Sequence, residues 1–361
     1  MRRRMAWILV AVLVGTSGCH QGGGRWKAPA PGQAAVLLNP GQGSLAERAF
    51  GDFTGTIAAG RDGSVYGLDQ YLVRVTPDRR VQTVLYEDQV GQSYGGLAVL
   101  PDGSLAFGSG IVLKKVTVDQ EGAVRVSVLA GATDRSRTPA RAVPRTANAA
   151  AHHFRGVPLP LGVRPDGSLV IGDGDVVWAL AKERLTRLYR LRKPYRAATN
   201  PRLVETAMDA KGTVYLTTYY DAPKNRPAAP SPRISDVITI RADGTVGRLA
   251  PPARSAGIAG VLTSMPVDTM AGDGADGLYI LTGDDHATYV VHVHAGTAEV
   301  VARHVNGNRS GCRMPSHPVD AMNLPCDLPW NMAASRPGSL VMAGNGGGRE
   351  GTDSILQIAA K

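Results

Sequence analysis

A short hairpin motif recurs through this chain and restricts its fold more than any other sequence feature. Its clearest copy is residues 161–173, where an apolar segment, a Pro-Asp-Gly turn, a second apolar segment and a closing Asp follow one another. Asp-Gly between two apolar runs predicts a β-hairpin, because Gly accepts the positive φ of such turns and Asp hydrogen-bonds nearby backbone. Aligned on the turn glycine, the six copies contain Gly63, Gly103, Gly167, Gly212, Gly277 and Gly338.

A third apolar segment follows each hairpin, and a fourth follows in most copies. In the first copy these segments are residues 71–75 and 81–85. Four antiparallel strands repeated at intervals of several tens of residues are typical of the blades of a β-propeller. The predicted fold class is therefore all-β, a six-bladed β-propeller over residues 34–361.

The last copy predicts how the ring closes. It lacks a fourth strand, because the chain stops shortly after Ile358. The apolar residues 34–38, upstream of the first copy, are free to supply that strand. Such a pairing would remove two open sheet edges, so we predict that an N-terminal strand completes the last blade.

The first residues have the features of an export signal. Arginines at positions 2–4 precede an apolar stretch too short for a comfortable membrane span, and small residues precede Cys19. This arrangement resembles the processing site of bacterial lipoproteins, in which the cysteine receives a diacylglyceryl group, although Thr16 departs from the usual Leu. We expect a signal peptide over residues 1–18, a flexible tether over 19–33 and anchoring to the outer face of the bacterial cytoplasmic membrane. An ordinary cleaved signal is the alternative.

Cys312 and Cys326 remain as a pair on the exported, oxidising side once Cys19 is assigned to lipidation. A disulfide between them would close a loop of about 15 residues, which is worth roughly 3 kcal/mol in the chain-entropy model. A metal site is the less favoured interpretation. The two cysteines and His317 lack the CxxC spacing of zinc modules.

The charge distribution argues against a nucleic-acid partner. The formal net charge is +10, and it falls to +7 when the three signal arginines are removed (40 minus 3 basic against 30 acidic). The basic residues are scattered instead of being clustered with aromatic residues, and they indicate at most a mild attraction to an anionic envelope surface. The expected partners are the membrane, through the lipid anchor, and an unidentified protein or small ligand. We expect a monomer.

The two faces of the predicted propeller differ in their loops. Tight turns join the first strand to the second and the third to the fourth, whereas long insertions join the second to the third and connect the blades. The insertions cover residues 131–156, 192–202, 221–235, 251–264, 306–327 and 346–353. Binding residues concentrate on loops carried by a rigid scaffold, so the long-loop face is the functional candidate.

Glu205, Asp268 and Asn331 occupy the predicted starts of the innermost strands of three successive blades. They would lie at the mouth of the central channel, on the long-loop face. Each precedes an apolar strand, where a polar side chain gains nothing from packing. Three converging oxygen-bearing side chains could coordinate a hard cation such as calcium or hold a polar ligand. The alternative is that a wet channel mouth tolerates polar residues without using them.

Two histidine pairs are weaker candidates. His292 and His294 share one strand face and could bind a metal, but His292 occupies the position that holds Arg74 in the first blade. That equivalence favours an outward-facing polar position. His152 and His153 lie in an insertion and are interpreted as solvated loop residues.

The remaining polar residues suggest structural roles. Asp69, Asp173 and Asp284 follow second strands, where Asp can cap the next turn. The chain has no nucleophile elbow, zinc-protease helix, phosphate-binding loop or dinucleotide fingerprint in a usable context. The sequence therefore provides no catalytic constellation.

The hairpin core resembles the NHL repeat, which forms six-bladed propellers in many families. The resemblance rests on the pattern Gly-Val-x-Pro-Asp-Gly-Ser-Leu-x-Ile-x-Asp at residues 162–173, whereas Lys211 and Pro337 replace the turn Asp in two other copies. It implies a fold, and the binding of proteins, RNA or small ligands. Similar propellers of the gluconolactonase type carry a divalent metal on Glu, Asn and Asp at the channel mouth, which implies a comparable role for Glu205, Asp268 and Asn331.

Two functions follow from these observations. The leading prediction is a lipid-anchored, extracytoplasmic propeller that acts as a binding or scaffolding module through its long-loop face. The alternative is a metal-dependent hydrolase or lyase of the gluconolactonase type, with its site at the channel mouth.

Overall fold

Six β-sheets arranged around one channel make up the described part of the chain, which confirms the predicted six-bladed β-propeller. The computed structural model describes residues 27–38, 56–91, 94–119, 121–134, 143–191, 199–221, 232–250, 254–255, 265–305, 317–345 and 353–360. Each sheet has four or five strands, and the strands of a blade are consecutive along the chain except in the last blade, which includes the N-terminal strand.

The first three blades lie between residues 56 and 190. Their strands, with the N-terminal strand placed first, are β1 (Gln33–Leu38); β2 (Thr56–Ala59), β3 (Val65–Leu68), β4 (Leu72–Val75) and β5 (Val81–Leu85); β6 (Tyr94–Val99), β7 (Leu105–Ser109), β8 (Val112–Val118) and β9 (Val124–Ala130); and β10 (Thr146–Asn148), β11 (Leu159–Val163), β12 (Leu169–Asp173), β13 (Val176–Ala181) and β14 (Arg184–Arg190). One short helix, α1 (Glu87–Val90), connects the first two blades.

The last three blades complete the ring. Their strands are β15 (Thr199–Met208), β16 (Val214–Asp221), β17 (Ile238–Ile240) and β18 (Val246–Arg248); β19 (Arg254–Ser255), β20 (Thr269–Gly272), β21 (Leu278–Gly283), β22 (Ala287–His294) and β23 (Thr297–Val305); and β24 (Val319–Asp320), β25 (Asn331–Arg336), β26 (Ser339–Asn345) and β27 (Asp353–Ala359). Two 3-10 turns, Ile234–Asp236 and Ala321–Asn323, lie in the connections.

The N-terminal strand closes the ring as predicted. Strand β1 pairs antiparallel with β27, with Gln33 opposite Ala359 and Ala34 opposite Ile358. Residues 34–38 are all at most 5% exposed, because they pack into the seams on both sides of the last blade. Strand β24 pairs with the other edge of β1. The last blade therefore depends on residues from both ends of the propeller.

The hairpin turns form by the chemistry that the sequence indicates. The Asp102 side chain accepts a hydrogen bond from the Ser104 N–H (3.1 Å), and the Asp166 side chain accepts one from the Ser168 N–H (2.9 Å). Gly103 and Gly167 have φ angles of 79° and 82°, in the region that glycine adopts without strain. Aspartate and glycine therefore fix these turns locally, before any contact between blades is made.

The apolar core lies between neighbouring blades. Six clusters of buried apolar side chains occupy the six seams, so each blade packs against the next one through both of its faces. The largest fully buried side chain, Trp178, lies between the second and third blades. Interlocked sheets of this kind bury valine, leucine and isoleucine efficiently, which explains how a chain with only 5% aromatic residues can fill its core.

Two features differ from the sequence-based expectation. Blades three and five carry a fifth strand on their outer edge, β10 and β19, and the last blade carries β24. The third strand of blade four does not begin at Asp236, because Asp236 accepts a hydrogen bond from the Arg233 N–H (3.0 Å) and ends a 3-10 turn. Within the described residues, no helix is long and apolar enough to span a membrane.

Several predictions lie outside the described residues. Cys19 and the rest of residues 1–26 are not described, so the signal peptide and the lipid anchor stay predictions. Cys326 is buried, but its predicted partner Cys312 is not described, and the disulfide stays a prediction as well. Parts of every long insertion also lie outside the described residues, and most of residues 192–202, 221–235, 251–264 and 346–353 do so.

Candidate functional site at the channel mouth

The innermost strand of every blade lines one central cavity. Strands β2, β6, β11, β15, β20 and β25 surround a volume of about 350 Å³. Most of the lining residues are Ala, Gly, Leu, Val and Met. The polar lining residues are Thr56, Glu205, Thr206, Thr269 and Asn331. Two of the three predicted ligand residues therefore line the same cavity.

Glu205 reaches the channel from a bulge in β15. Leu203 pairs with Thr218 and Thr206 pairs with Leu216, so Val204 and Glu205 together lie opposite the single residue Thr217. The Glu205 N–H donates a hydrogen bond to Oγ1 of Thr217 (3.1 Å), which is fully buried. Bulges re-aim side chains and are common beside functional sites. Glu205 consequently lies inside a ten-residue strand, and the prediction that it begins this strand is wrong.

Asp268 is placed by the neighbouring blade. It immediately precedes β20, and its N–H donates to the Leu281 carbonyl (3.0 Å), which extends the pairing with β21 by one residue. Strands β15 and β20 approach each other closely, since a Cβ added at Gly272 would lie 2.0 Å from the Met208 carbonyl oxygen. Only glycine permits this approach, which brings the innermost strands of blades four and five together.

The two carboxyl groups share one electrostatic environment. Burial raises the pKa of Glu205 to about 7; a side-chain hydrogen bond with Thr269 opposes this shift, and the negative charge of Asp268 adds to it. Asp268 is an exposed residue and is not among those that line the cavity, yet the surrounding protein removes enough water to raise the pKa of its carboxyl to about 6. Both groups are therefore less stable as anions here than in water.

Asn331 lies in the sixth blade, one blade after Asp268 along the chain. It is the first residue of β25, it pairs with Ala343, and it is half-buried in the lining of the cavity. The structure therefore brings Glu205 and Asp268 into electrostatic contact and places Asn331 around the same channel. Whether the three residues act together as ligands stays a prediction.

The histidines outside the channel are more buried than the sequence indicates. His292 is only 8% exposed, so its interpretation as an outward-facing polar residue is wrong. His152 packs edge-on against Trp178, with ring centroids 5.0 Å apart, and is not a solvated loop residue. In both cases an aromatic neighbour covers the ring and an aspartate lies beside it, a combination that becomes visible only when the strands are assembled.

Asp284 caps the turn that follows it, as predicted, whereas Asp173 instead binds the end of the preceding insertion and the ring of Trp178. Asp173 accepts hydrogen bonds from the Arg155 N–H (2.5 Å) and from Nε1 of Trp178 (3.3 Å). Asp284 accepts from the N–H groups of His286 and Ala287 (2.8 and 2.9 Å). These carboxylates stabilise loops, whereas the Glu205 carboxyl lines the central channel.

Comparison with known proteins identifies the fold alone. No family model matches the chain, and no curated protein sequence matches it significantly. Among solved structures, a Bacteroides thetaiotaomicron protein of unknown function is similar, with a TM-score of 0.55, 13% identity, and coverage of 91% of this chain and 75% of that one.

Two further structures show a weaker likeness. A gluconolactonase of Xanthomonas campestris has a TM-score of 0.45 and 13% identity, with coverage of 93% and 99% of the two chains. The calcium-binding protein regucalcin of Agrobacterium tumefaciens has a TM-score of 0.45 and 11% identity, with coverage of 91% and 95%. The class that fold and site define is a six-bladed β-propeller whose central channel is lined by one desolvated carboxyl group, Glu205, with the charge of Asp268 nearby.

Proposed function

We propose that the channel mouth binds a divalent cation and that the protein is a metal-dependent hydrolase or lyase of the gluconolactonase type, acting on a small polar substrate. The observation that carries this proposal is the pairing of Glu205 with Asp268, whose pKa values are raised to about 7 and 6. Strongly perturbed carboxyl groups in a cavity are typical of functional sites, because folding rarely gains from placing them there.

A hard cation fits this set of donors. Calcium takes six to eight oxygen ligands from carboxylates, amide carbonyls and water at about 2.3–2.6 Å. Glu205 and Asp268 offer carboxylate oxygens, and Asn331 offers an amide oxygen from the next blade along the ring. A bound dication would remove the repulsion between the two carboxylates and compensate for the hydration that they have lost.

In the proposed reaction the cation and the protein residues would have different roles. A divalent cation supplies Lewis-acid polarisation of a substrate carbonyl or hydroxyl oxygen when it is bound. Glu205 and Asp268 would hold that charge, Asn331 would complete the protein ligands, and Thr269 would orient Glu205 through their hydrogen bond. The mostly apolar channel wall would limit the number of water molecules that reach the substrate.

For the cellular location we propose what the sequence predicts. We infer a protein anchored by Cys19 to the outer face of the cytoplasmic membrane, where its substrate would be an envelope or extracellular compound. A binding or scaffolding role for the long-loop face stays a prediction as well, because its insertions lie largely outside the described residues. The channel mouth is the site for which specific contacts support a function.

Thermal unfolding of the purified full chain with added CaCl₂, MgCl₂ or MnCl₂ tests the cation site. Calcium at about 100 times its dissociation constant should stabilise the native chain by about 2.7 kcal/mol. Glu205→Ala should abolish that gain. Glu121→Gln, a change at an exposed turn residue, is the matched control and should retain it. A native chain that no divalent ion stabilises would contradict the proposal.

Proton release during hydrolysis of sugar lactones tests the activity. We expect metal-dependent turnover by the native chain and by Glu121→Gln, and its loss in Glu205→Ala and Asp268→Asn. Turnover that survives both substitutions would show that the channel mouth is not the active site. Metal binding without turnover on any lactone would instead favour a ligand-binding propeller.

A further inference from the structure

The β22–β23 hairpin of the fifth blade carries a second cluster of possible ligands, separate from the channel mouth. His292 and His294 lie two residues apart on one face of β22, and β23 places Glu299 directly opposite His292. One ligating atom from each of the three side chains lies within 4.8 Å of the other two. A two-residue turn, Ala295 and Gly296, holds the two strands in this register.

Asp273 fixes the orientation of the His292 ring. Oδ2 of Asp273 lies 2.9 Å from Nε2 of His292, while Oδ1 accepts the N–H groups of Ala275 and Gly277 at 2.7 and 3.0 Å. Asp273 is therefore held in place by two backbone amides and is positioned to accept a hydrogen bond from Nε2 of His292.

The other nitrogen of His292 faces Glu299. If Nε2 donates to Asp273, Nδ1 is the ring nitrogen left for another partner, and it lies 3.7 Å from Oε1 of Glu299. At this distance the two atoms do not form a hydrogen bond with each other. A buried carboxylate that orients a histidine in this way is a regular companion of metal-bound imidazole.

His294 contributes an unsatisfied polar atom to the same place. Its ring stacks on His292 with centroids 4.4 Å apart and an interplanar angle of 22°. Its Nδ1 is buried and has no hydrogen-bond partner among the described residues. A buried polar atom without a partner is costly, so such an atom in a native fold needs an explanation.

We propose that His292, His294 and Glu299 form a binding site for a divalent transition metal, with zinc as the ion best suited to it. Zinc ligands at 2.0–2.1 Å in tetrahedral geometry lie about 3.4 Å from one another. The 3.7 Å separation of His292 and Glu299 is already close to this value, and the Glu299 side chain is 44% exposed and can rotate inward. Water would take the fourth position.

The choice of metal follows from the donors. Imidazole nitrogen suits zinc, copper and nickel, whereas calcium and magnesium prefer oxygen alone. The cluster would therefore not compete with the channel mouth for calcium. The inference is independent of the proposed function, because it involves different residues and a different class of ion.

The position of the cluster also suggests what the metal would do. The Tyr279 ring stacks on His292 with centroids 4.5 Å apart, and the Tyr279 hydroxyl accepts a hydrogen bond from the Gly338 N–H (3.2 Å) of the sixth blade. The cluster therefore lies beside the seam between blade five and the blade that closes the ring. A metal bound only by the folded chain would stabilise this seam.

Zinc binding by the purified full chain, with its affinity tag removed, tests the site. Equilibrium dialysis against ZnCl₂ with excess CaCl₂, which would saturate the channel mouth, measures the ratio of metal to protein. We expect about one zinc per native chain, in keeping with a single three-residue site. Glu299→Gln and His294→Ala should each weaken binding at least tenfold, and Glu299→Gln should fold normally because Glu299 is partly exposed.

Two matched controls make the result decisive. His286→Ala removes an exposed histidine of the same blade, and Glu205→Ala removes the channel-mouth carboxyl. Both should bind zinc as the native chain does, and anomalous diffraction at the zinc edge should place the ion between β22 and β23. Unchanged binding in both Glu299→Gln and His294→Ala would overturn the proposal. Loss of binding in His286→Ala or Glu205→Ala, or a native chain that retains no zinc, would overturn it too.

Discussion

Replacement of Glu205 by glutamine should stabilise the metal-free protein, but only at pH values above the ordinary glutamate pKa of 4.5. Burial and the nearby Asp268 raise the pKa of Glu205 from an ordinary 4.5 to about 7. Below pH 4.5 the carboxyl is protonated in both the folded and the unfolded chain, and it contributes nothing to the pH dependence. As the pH rises from 4.5 to 7 the unfolded chain loses this proton first, so the folded state becomes progressively less stable.

The size of the effect follows from the shift. A difference of 2.5 between 7 and 4.5, at 1.36 kcal/mol per unit, is about 3 kcal/mol once the pH is above 7. Glutamine has nearly the same shape and no charge, so Glu205→Gln should recover that amount at pH 8 and almost none at pH 4.5. With an unfolding entropy of about 0.7 kcal/mol/K for about 330 residues, the melting temperature should rise by about 4 °C.

Thermal melts between pH 4.5 and pH 8 in the presence of a chelator would measure this difference. Glu121→Gln, at an exposed turn, should follow the native chain at every pH. Added calcium should reverse the order at pH 8, because the native chain gains the cation and the variant loses a ligand. If Glu205→Gln gained no more stability at pH 8 than at pH 4.5, the carboxyl would not be desolvated and the argument for the channel mouth would fail.

One truncation and two substitutions test the fold and the second cluster. A chain that begins at residue 39 lacks Val36, Leu37 and Leu38, and the burial of each of these side chains contributes about 1.5–3 kcal/mol to stability. This truncated chain should show no cooperative unfolding by circular dichroism. A chain that begins at residue 27 keeps these residues and should fold. Trp178→Ala should lower the free energy of unfolding, measured by chemical denaturation, by about 3–5 kcal/mol. A decrease of less than about 1 kcal/mol would contradict the placement of Trp178 in the core between blades two and three. Asp273→Asn should lower the free energy of unfolding at pH 7 by about 1.5–3 kcal/mol, because His292 loses an ionised partner. An unchanged denaturation midpoint would argue against this contact.

The channel mouth shows which features of the candidate site could be predicted from the sequence and which could not. Position within the repeat placed Glu205, Asp268 and Asn331 around one channel, because copies of a repeat occupy equivalent positions in a ring. The bulge at Val204 and Glu205 was not predicted, because it depends on the pairing of β15 with β16 along ten residues. The raised pKa values likewise require the two carboxyl groups to share one desolvated environment, although 63 positions separate them (268 minus 205).

The cluster of His292, His294 and Glu299 was also only partly predictable from the sequence. A two-residue turn after His294 is enough to predict Glu299 opposite His292, and that signal was available in the sequence. The burial of His292 was not, because it arises from the stacking of Tyr279 and from the sixth blade that covers this seam.

What the amino-acid sequence determined by itself is local and periodic: the Asp-Gly turns, the alternation of apolar strands, the number of blades and the strand that closes the ring. Each of these follows from hydrogen bonds and side-chain positions within a few residues, or from the count of repeated units. What only the tertiary structure decided is which polar groups lose water together. Desolvation depends on how closely neighbouring blades approach, and that distance is set by side chains far apart in the chain.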